Sequence, residues 1–285
     1  MTREKTRKIE SALALALSTL AALLGIFWLV FILGDVVRKG AAAITPALFL
    51  HNPTPEGISG GGLKNAFVGQ ALITVFATVA GVPLGLLGGT FLAEYGRGKI
   101  THLISALSDI MISVPTMVVG TFIYAVMVKP LGHFNGWAGS AALAVIMVPV
   151  VVRTTESMLR LVPWTLREAA FALGAPKYKV ITQVVYRGAI TGIFTGVLLS
   201  IARVAGETAP LLFTSFNNNF FSADMKGPIA SLTVTIYQYA MGPYDDLHAQ
   251  AWAAALVITL FILLITIIGR AFIKLRFGKR GTPII

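Results

Sequence analysis

The sequence predicts an all-α polytopic membrane protein with six transmembrane helices, and three observations carry that prediction. Hydrophobic residues make up 56% of the 285 positions and charged residues 12%, roughly half the share of a soluble domain. Mean hydropathy is +0.80. Uncharged runs of about 20 residues, long enough to cross a bilayer, recur along the chain. Lysine and arginine gather in alternate connections between these runs, as they do in multi-pass proteins.

Other classes are excluded on the same grounds. The net charge of +11 is not arranged as a basic and aromatic stripe, and no nucleic-acid-binding module is present. Zero cysteines rule out disulfides and thiolate metal sites. His51, His102, His133 and His248 are scattered, with no HExxH pair to hold a metal. A positioned nucleophile and base, which an intramembrane enzyme would need, is also missing.

Residues 1–10 form a basic tail with Arg3, Lys5, Arg7 and Lys8, and 11–36 form the first span. A cleaved signal peptide would have an apolar core of about 7–15 residues before a small-residue cleavage site. This run is longer and ends in bulky residues from Phe27 to Leu33, so it reads as a retained helix. Residues 37–64 form an external loop, rich in turn formers at His51-Asn-Pro-Thr-Pro and Gly60-Gly-Gly. The second span, 65–93, carries Gly81, Gly85 and Gly89, the small-xxx-small spacing that lets helix backbones approach. A turn at 94–102 leads to the third span, 103–128, with Asp109 near its beginning and a kink expected at Pro115. Asp109 and Glu94 read as interfacial acids, or as partners of Arg97 or Arg153, with no chemistry of their own.

A turn at 129–137 and a fourth span at 138–155 precede a polar loop, 156–187. The fifth span covers 188–213, an external segment 214–250, the sixth span 251–272 and a basic tail 273–285. Counting Arg153 and Arg270 at the ends of their spans, the side of the termini holds 17 lysines and arginines against 5 on the other. The termini are therefore expected in the cytoplasm.

Within the fifth span lie Arg203 and Glu207. Arg203 is about 24 Å along a helix from Arg187, too far to snorkel to the same interface. Ionised groups at such depth usually face a bundle interior or a watery path. Spacing i,i+4 lets the two side chains pair, and Pro210, one turn on, interrupts the helix. Two readings stand: a substrate path of Arg203, Glu207 and Thr208, with Ser200 a weaker member, or a pair that ties the helix to a neighbouring subunit. On the path reading a guanidinium suits an oxyanion, and Glu207 compensates it when the path is empty.

The loop 156–187 has its own pattern. Pro163 can open a helix with Leu166, Ala169, Ala170 and Leu173 at helical spacing, and Gly174 can close it. Pro176 can open a second short helix containing Val180, Ile181, Val184 and Val185. This makes a compact knob, suited to a lipid surface or to a protein partner.

Glu168-Ala-Ala, followed by three residues and Gly174, is similar to the EAA loop of bacterial ABC importer permeases. Where that family continues with Ile-x-Leu-Pro, this chain has Val184-Val-Tyr-Arg187. The likeness extends through Gly60-Gly-Gly-Leu-Lys-Asn-Ala, Leu92-Ala-Glu-Tyr-Gly-Arg, Val150-Val-Val-Arg-Thr-Thr-Glu156, Leu166-Arg-Glu-Ala-Ala-Phe-Ala-Leu-Gly174 and Ile201-Ala-Arg-Val-Ala-Gly-Glu-Thr-Ala-Pro-Leu-Leu-Phe-Thr214. Over most of its length the chain resembles the permease subunits of the phosphate-specific ABC importer. That resemblance implies a type I permease fold, with one permease domain at about 66–275, in the bacterial inner membrane. It implies three partners: a paralogous permease, an ATPase dimer and a periplasmic phosphate-binding protein. Glu168, Ala169, Ala170 and Gly174 would couple to the ATPase.

No GxxxxGK[ST] is present: Gly98-Lys99 is followed by Ile100, and Gly278-Lys279 by Arg280. No cofactor is therefore expected in this chain, ATP being bound by the partner ATPase. Two alternatives remain from the residues alone. One is a permease for another oxyanion such as sulfate or molybdate. The other is an ion-coupled transporter with Glu207 or Asp109 as proton relay, which predicts interrupted helices in both halves; no such repeat is seen in the sequence.

Overall fold

The computed structural model describes residues 3–55, 58 and 60–277. The first two residues of the N-terminal tail and the end of the basic tail, with Lys279 and Arg280, lie outside them. Among the described residues all regular elements are helical.

The first helix, α1 (Arg3–Ala43), overruns its expected bounds of 11–36 at both ends. No glycine pair or proline stops it before Pro46, and i,i+4 ion pairs support its ends: Lys8 with Glu4 at 2.7 Å and Lys39 with Asp35 at 2.9 Å. Its membrane-length run is exposed. Near its end the Lys39 ammonium stands over the Trp252 ring at 4.5 Å. A short α2 (Pro46–Leu50) follows, and Leu63 closes the loop by donating to the Leu48 carbonyl at 2.8 Å.

Helix α3 (Lys64–Thr90) continues into a π-helical turn, Phe91–Tyr95. The third span, expected over 103–128 with a kink at Pro115, is a sharply bent helix pair within Lys99–Leu131. The pair is α4 (Lys99–Ser113) and α5 (Thr116–Ile123), the latter running on through the π-helical turn Tyr124–Val128 to α6 (Lys129–Leu131). The two halves meet at 105°. Val114 is forced into extended backbone by the proline after it, and Pro115 has no N–H to continue the ladder.

Helix α7 (Gly136–Arg160) is the most buried of the membrane-length helices. Its N-cap Asn135 accepts from the Ala138 amide at 2.8 Å. Gly81, Gly85 and Gly89 of α3 lie against it as their spacing requires. A Cβ on Gly85 would stand 2.5 Å from the Val151 Cβ, and one on Gly89 would stand 2.6 Å from the Thr155 Cβ and the Val152 carbonyl. Ile73 and Ala77 of α3 pack with Leu143, Met147 and Val151 of α7 to form the core.

Helix α8 (Trp164–Ala172) is followed by α9 (Lys177–Lys179), a π-helical turn Val180–Val185, and α10 (Tyr186–Ala205). The expected second short helix is therefore the lower end of one long helix, since no residue between Pro176 and Gly206 breaks the ladder. At the far end α10 stops at Ala205, short of the expected 213, and α11 (Ala209–Leu212) is a single turn. The segment expected to be an external loop, 214–250, contains α12 (Leu232–Ala240), with Leu232, Thr233, Val234 and Thr235 buried. The last helix, α13 (Asp245–Phe277), is longer than the expected 251–272.

Gly85→Ala and Gly89→Ala should each lower stability by about 1–3 kcal/mol, because backbone or a β-branched side chain occupies the space. Gly25→Ala, with nothing within 4 Å, should leave it unchanged or slightly raised. Thermal denaturation of the purified protein in detergent reads the difference.

Candidate functional site

Two charged sites lie at opposite ends of α10. At its C-terminal end the helix breaks over Gly206, Glu207 and Thr208 before Pro210 opens the next turn. A break at membrane depth leaves peptide groups that neighbours must satisfy. Gln70 of α3 supplies one bridge: its Nε2 donates to the Ala205 carbonyl at 3.2 Å, while its Oε1 accepts from the Leu232 amide at 3.1 Å. The Thr233 hydroxyl donates to the Glu207 carbonyl at 2.9 Å, and the Glu207 amide donates to the Val204 carbonyl at 3.2 Å. Gly120 of α5 sits against Pro210, where a Cβ would lie 2.6 Å from the proline Cα. Helices α3, α5 and α12 thus hold the break open as a built feature.

Arg203 occupies the last turn of α10, where the carbonyl end of the helix favours a cation. Its Nε stands 4.0 Å from Glu207 Oε1, at the outer limit of an ion pair. The Arg203 side chain is 47% exposed and that of Glu207 16%. The two residues do not share a helix face, because Glu207 lies beyond the helix end. It is the turn at Gly206 that brings its carboxylate back towards the guanidinium. Thr208 is half-buried next to them. Ser200 is 1% exposed with an unpartnered hydroxyl, so it belongs to the packing of its own chain and not to the exposed face.

At the other end, α8 and Gly174 form the knob. Gly174 has φ +76°, the left-handed conformation that ends a helix. The Ala175 amide donates to the Ala170 carbonyl at 3.1 Å and the Gly174 amide to Phe171 at 2.9 Å, the paired bonds of a Schellman stop. Leu166, Phe171 and Leu173 point outward with Glu168 and Ala169, Leu173 being 88% exposed. The face turned to the bundle carries Arg167 and the partly buried Ala170.

Arg167 fastens the knob to the rest of the chain, a role no local sequence pattern signals. Its Nη2 pairs with Glu94 Oε1 at 2.6 Å, both side chains being 6% exposed. Its remaining donors reach the Val162 and Leu159 carbonyls at 2.6 and 2.9 Å. Lys177 donates to the Glu94 carbonyl at 2.8 Å, so three elements meet at the end of α3. Glu94 therefore pairs with Arg167, not with Arg97 or Arg153. Asp109 does pair with Arg153, through two hydrogen bonds. Arg153 also reaches Glu156 at 2.8 Å, and Glu156 reaches Arg160 at 2.7 Å.

A family described as "Binding-protein-dependent transport system inner membrane component" matches residues 81–276. The chain belongs to this family. Curated relatives named phosphate transport system permease protein PstA include one from Pasteurella multocida, 51% identical over 93% of this chain and 95% of its own length. Another, from Yersinia pestis, is 48% identical over 94% and 91%. Among solved structures, an inward-facing MetNI methionine ABC transporter aligns with TM-score 0.57 at 19% identity, over 74% of this chain and 94% of that one. An amino acid ABC transporter aligns with TM-score 0.54 at 18% identity, over 76% and 92%. The fold is that of the ABC importer permeases. As a family member the chain is an integral membrane subunit of a transport system, with no catalytic reaction of its own.

Removing either partner of the buried pair leaves an uncompensated charge. Glu94→Leu or Arg167→Met alone should cost about 3–5 kcal/mol, and the double substitution markedly less than the sum. Thermal denaturation of the four forms in a double-mutant cycle measures the coupling.

Proposed function

We propose that the chain is one of two paralogous permease subunits, of the PstA type, in an ATP-driven importer of inorganic phosphate. It works in the bacterial inner membrane with both termini in the cytoplasm, as the excess of lysine and arginine on that side supports. Its partners are a PstC-type permease, a PstB-type ATPase dimer that binds the ATP, and a PstS-type periplasmic phosphate-binding protein.

One observation carries the path: a guanidinium in the membrane half away from the knob is loosely paired and exposed on the chain's own surface. A charge placed there needs a polar path or a partner. Phosphate offers oxyanion acceptors that match the planar donor fork of Arg203. Glu207 compensates the guanidinium between passages and competes with the anion, which keeps residence short enough for transport. Thr208 adds a neutral hydroxyl at the same turn. The choice of phosphate over sulfate or molybdate is supported by the relatives' names.

Drive enters through the knob. Leu166, Phe171 and Leu173 form an exposed apolar face on a rigid stub, with Glu168 and Ala169 beside them. That face suits a groove on the ATPase. When the ATPase closes, α8 moves as a unit with the end of α3 because Arg167 and Lys177 hold both to Glu94. Through Lys177 the motion reaches the helix that carries Arg203 in its last turn, and repacking of such rigid elements switches access to the path.

In proteoliposomes holding the whole complex, Arg203→Ala should lower labelled-phosphate uptake about ten- to hundredfold with assembly intact. Arg203→Lys should recover only part of it. Loss of assembly in both variants would make the pair a structural tie, and preferred uptake of sulfate or molybdate would change the substrate. Gly174→Val and Glu168→Ala should leave ATPase activity measurable while uncoupling it from uptake; normal coupling in both would remove the docking role.

A further inference from the structure

At the knob end, an open cleft of about 590 Å³ lies between α3 and the helix that runs from Lys177 to Ala205. The two helices are antiparallel, and the lining changes in step along both. Leu87 and Ile190 form the deep end. Thr90 and Tyr186 come next, with their hydroxyls 2.5 Å apart. Tyr95 and Tyr178 form the rim, beside Arg187. From Leu87 to Tyr95 the rise is about 12 Å, so the cleft passes from apolar to polar over the depth of a lipid's upper chain and headgroup.

Counting protons shows which groups are free. The Thr90 hydroxyl donates to the Leu86 carbonyl at 2.6 Å, so Tyr186 gives its own proton to Thr90. Thr182 donates to the Tyr178 carbonyl at 2.8 Å. The phenol hydroxyls of Tyr95 and Tyr178 and the guanidinium of Arg187 have no hydrogen-bond or ion-pair partner among the described residues. No carboxylate lines the cleft; the nearby Glu94 is taken by Arg167. Lys177 adds a second positive charge, 4.0 Å above the Tyr95 ring.

We propose that this cleft binds an anionic phospholipid. Its phosphodiester is held by Arg187 and the Tyr95 and Tyr178 hydroxyls, and one acyl chain lies along Leu87 and Ile190. Basic pockets between spanning helices on the cytoplasmic side suit anionic headgroups, and tyrosines at the rim suit the interface. A zwitterionic lipid is disfavoured because its ammonium would meet Lys177 and Arg187 with no carboxylate to receive it. Free phosphate would find the same donors, but the apolar walls would contribute nothing to holding it. The proposal rests on reading α3 and α10 as membrane spans with the knob on the cytoplasmic side.

Native mass spectrometry of the whole complex, titrated separately with phosphatidylglycerol, phosphatidylcholine and inorganic phosphate, tests it. The expected result is a phosphatidylglycerol adduct formed in preference to phosphatidylcholine. Arg187→Gln should weaken it about tenfold and Tyr178→Phe a few-fold. The second variant keeps the test available if the first fails to assemble. Equal phosphatidylglycerol binding by the wild type and the variants would overturn the proposal. So would no preference over phosphatidylcholine, or an inorganic phosphate adduct that alone depends on Arg187. Phosphate uptake by the same complex in phosphatidylcholine liposomes reads the transport function separately, so the two can fail independently.

Discussion

A charge or an unpaired peptide group inside a bilayer must be satisfied by its own chain or by a polar path, and the arrangement of this molecule follows from that constraint. Most of its helices solve the problem by having no charge to satisfy. The helix Lys177–Ala205 does not, since it ends at depth with an arginine in its last turn and a glutamate just beyond. The neighbouring helices supply what the broken backbone lacks. Gln70 caps one carbonyl and one amide, and Thr233 caps another carbonyl. What they do not supply is a firm partner for Arg203. A backbone so fully served beside a guanidinium so weakly paired is the contrast on which the proposed anion path rests.

The opposite end of the bundle follows the other strategy. There two carboxylates, Glu94 and Glu156, are closely paired and withdrawn from solvent. Arg167 and Glu94 bury each other, while Glu156 is held between Arg153 and Arg160. A buried pair of this kind adds little to net stability compared with apolar packing, but it fixes geometry. Here it fixes the knob to the end of α3, and on the proposed coupling, force on the exposed apolar face of α8 would pass to the membrane helices and not be absorbed at a hinge. The contrast between a loose pair at one end and a close clamp at the other is the observation on which the proposed gate rests.

Much of this was legible in the sequence. The small-residue spacing of Gly81, Gly85 and Gly89 announced a close helix contact, and α7 fills it. Gly174 was readable as a helix stop because only a left-handed residue fits there, and Pro210 as a point where a helix could not continue. The depth of the interruptions was not legible. Proline chemistry marks where a ladder fails but not the angle that results, so the 105° turn at Pro115 was not legible. Burial of α12 depends on distant partners such as Gln70, 162 residues before Leu232. The apolar residues of α8 read as part of a knob suited to lipid or a partner, but nothing local showed that its bundle-facing side is carried by Arg167, whose partner lies 73 residues earlier. Pairings at such separations leave no periodic trace.

The central claim is that Arg203 faces a water-accessible route through the complex. The chain has no cysteine, so a single Arg203→Cys substitution can be followed with a small, charged, membrane-impermeant thiol reagent, against the unsubstituted complex as background. Reaction at a rate slowed by phosphate and altered by ATP is the predicted result. A thiol at this position that stays unreactive in every nucleotide state, in a complex that still assembles, would contradict the account.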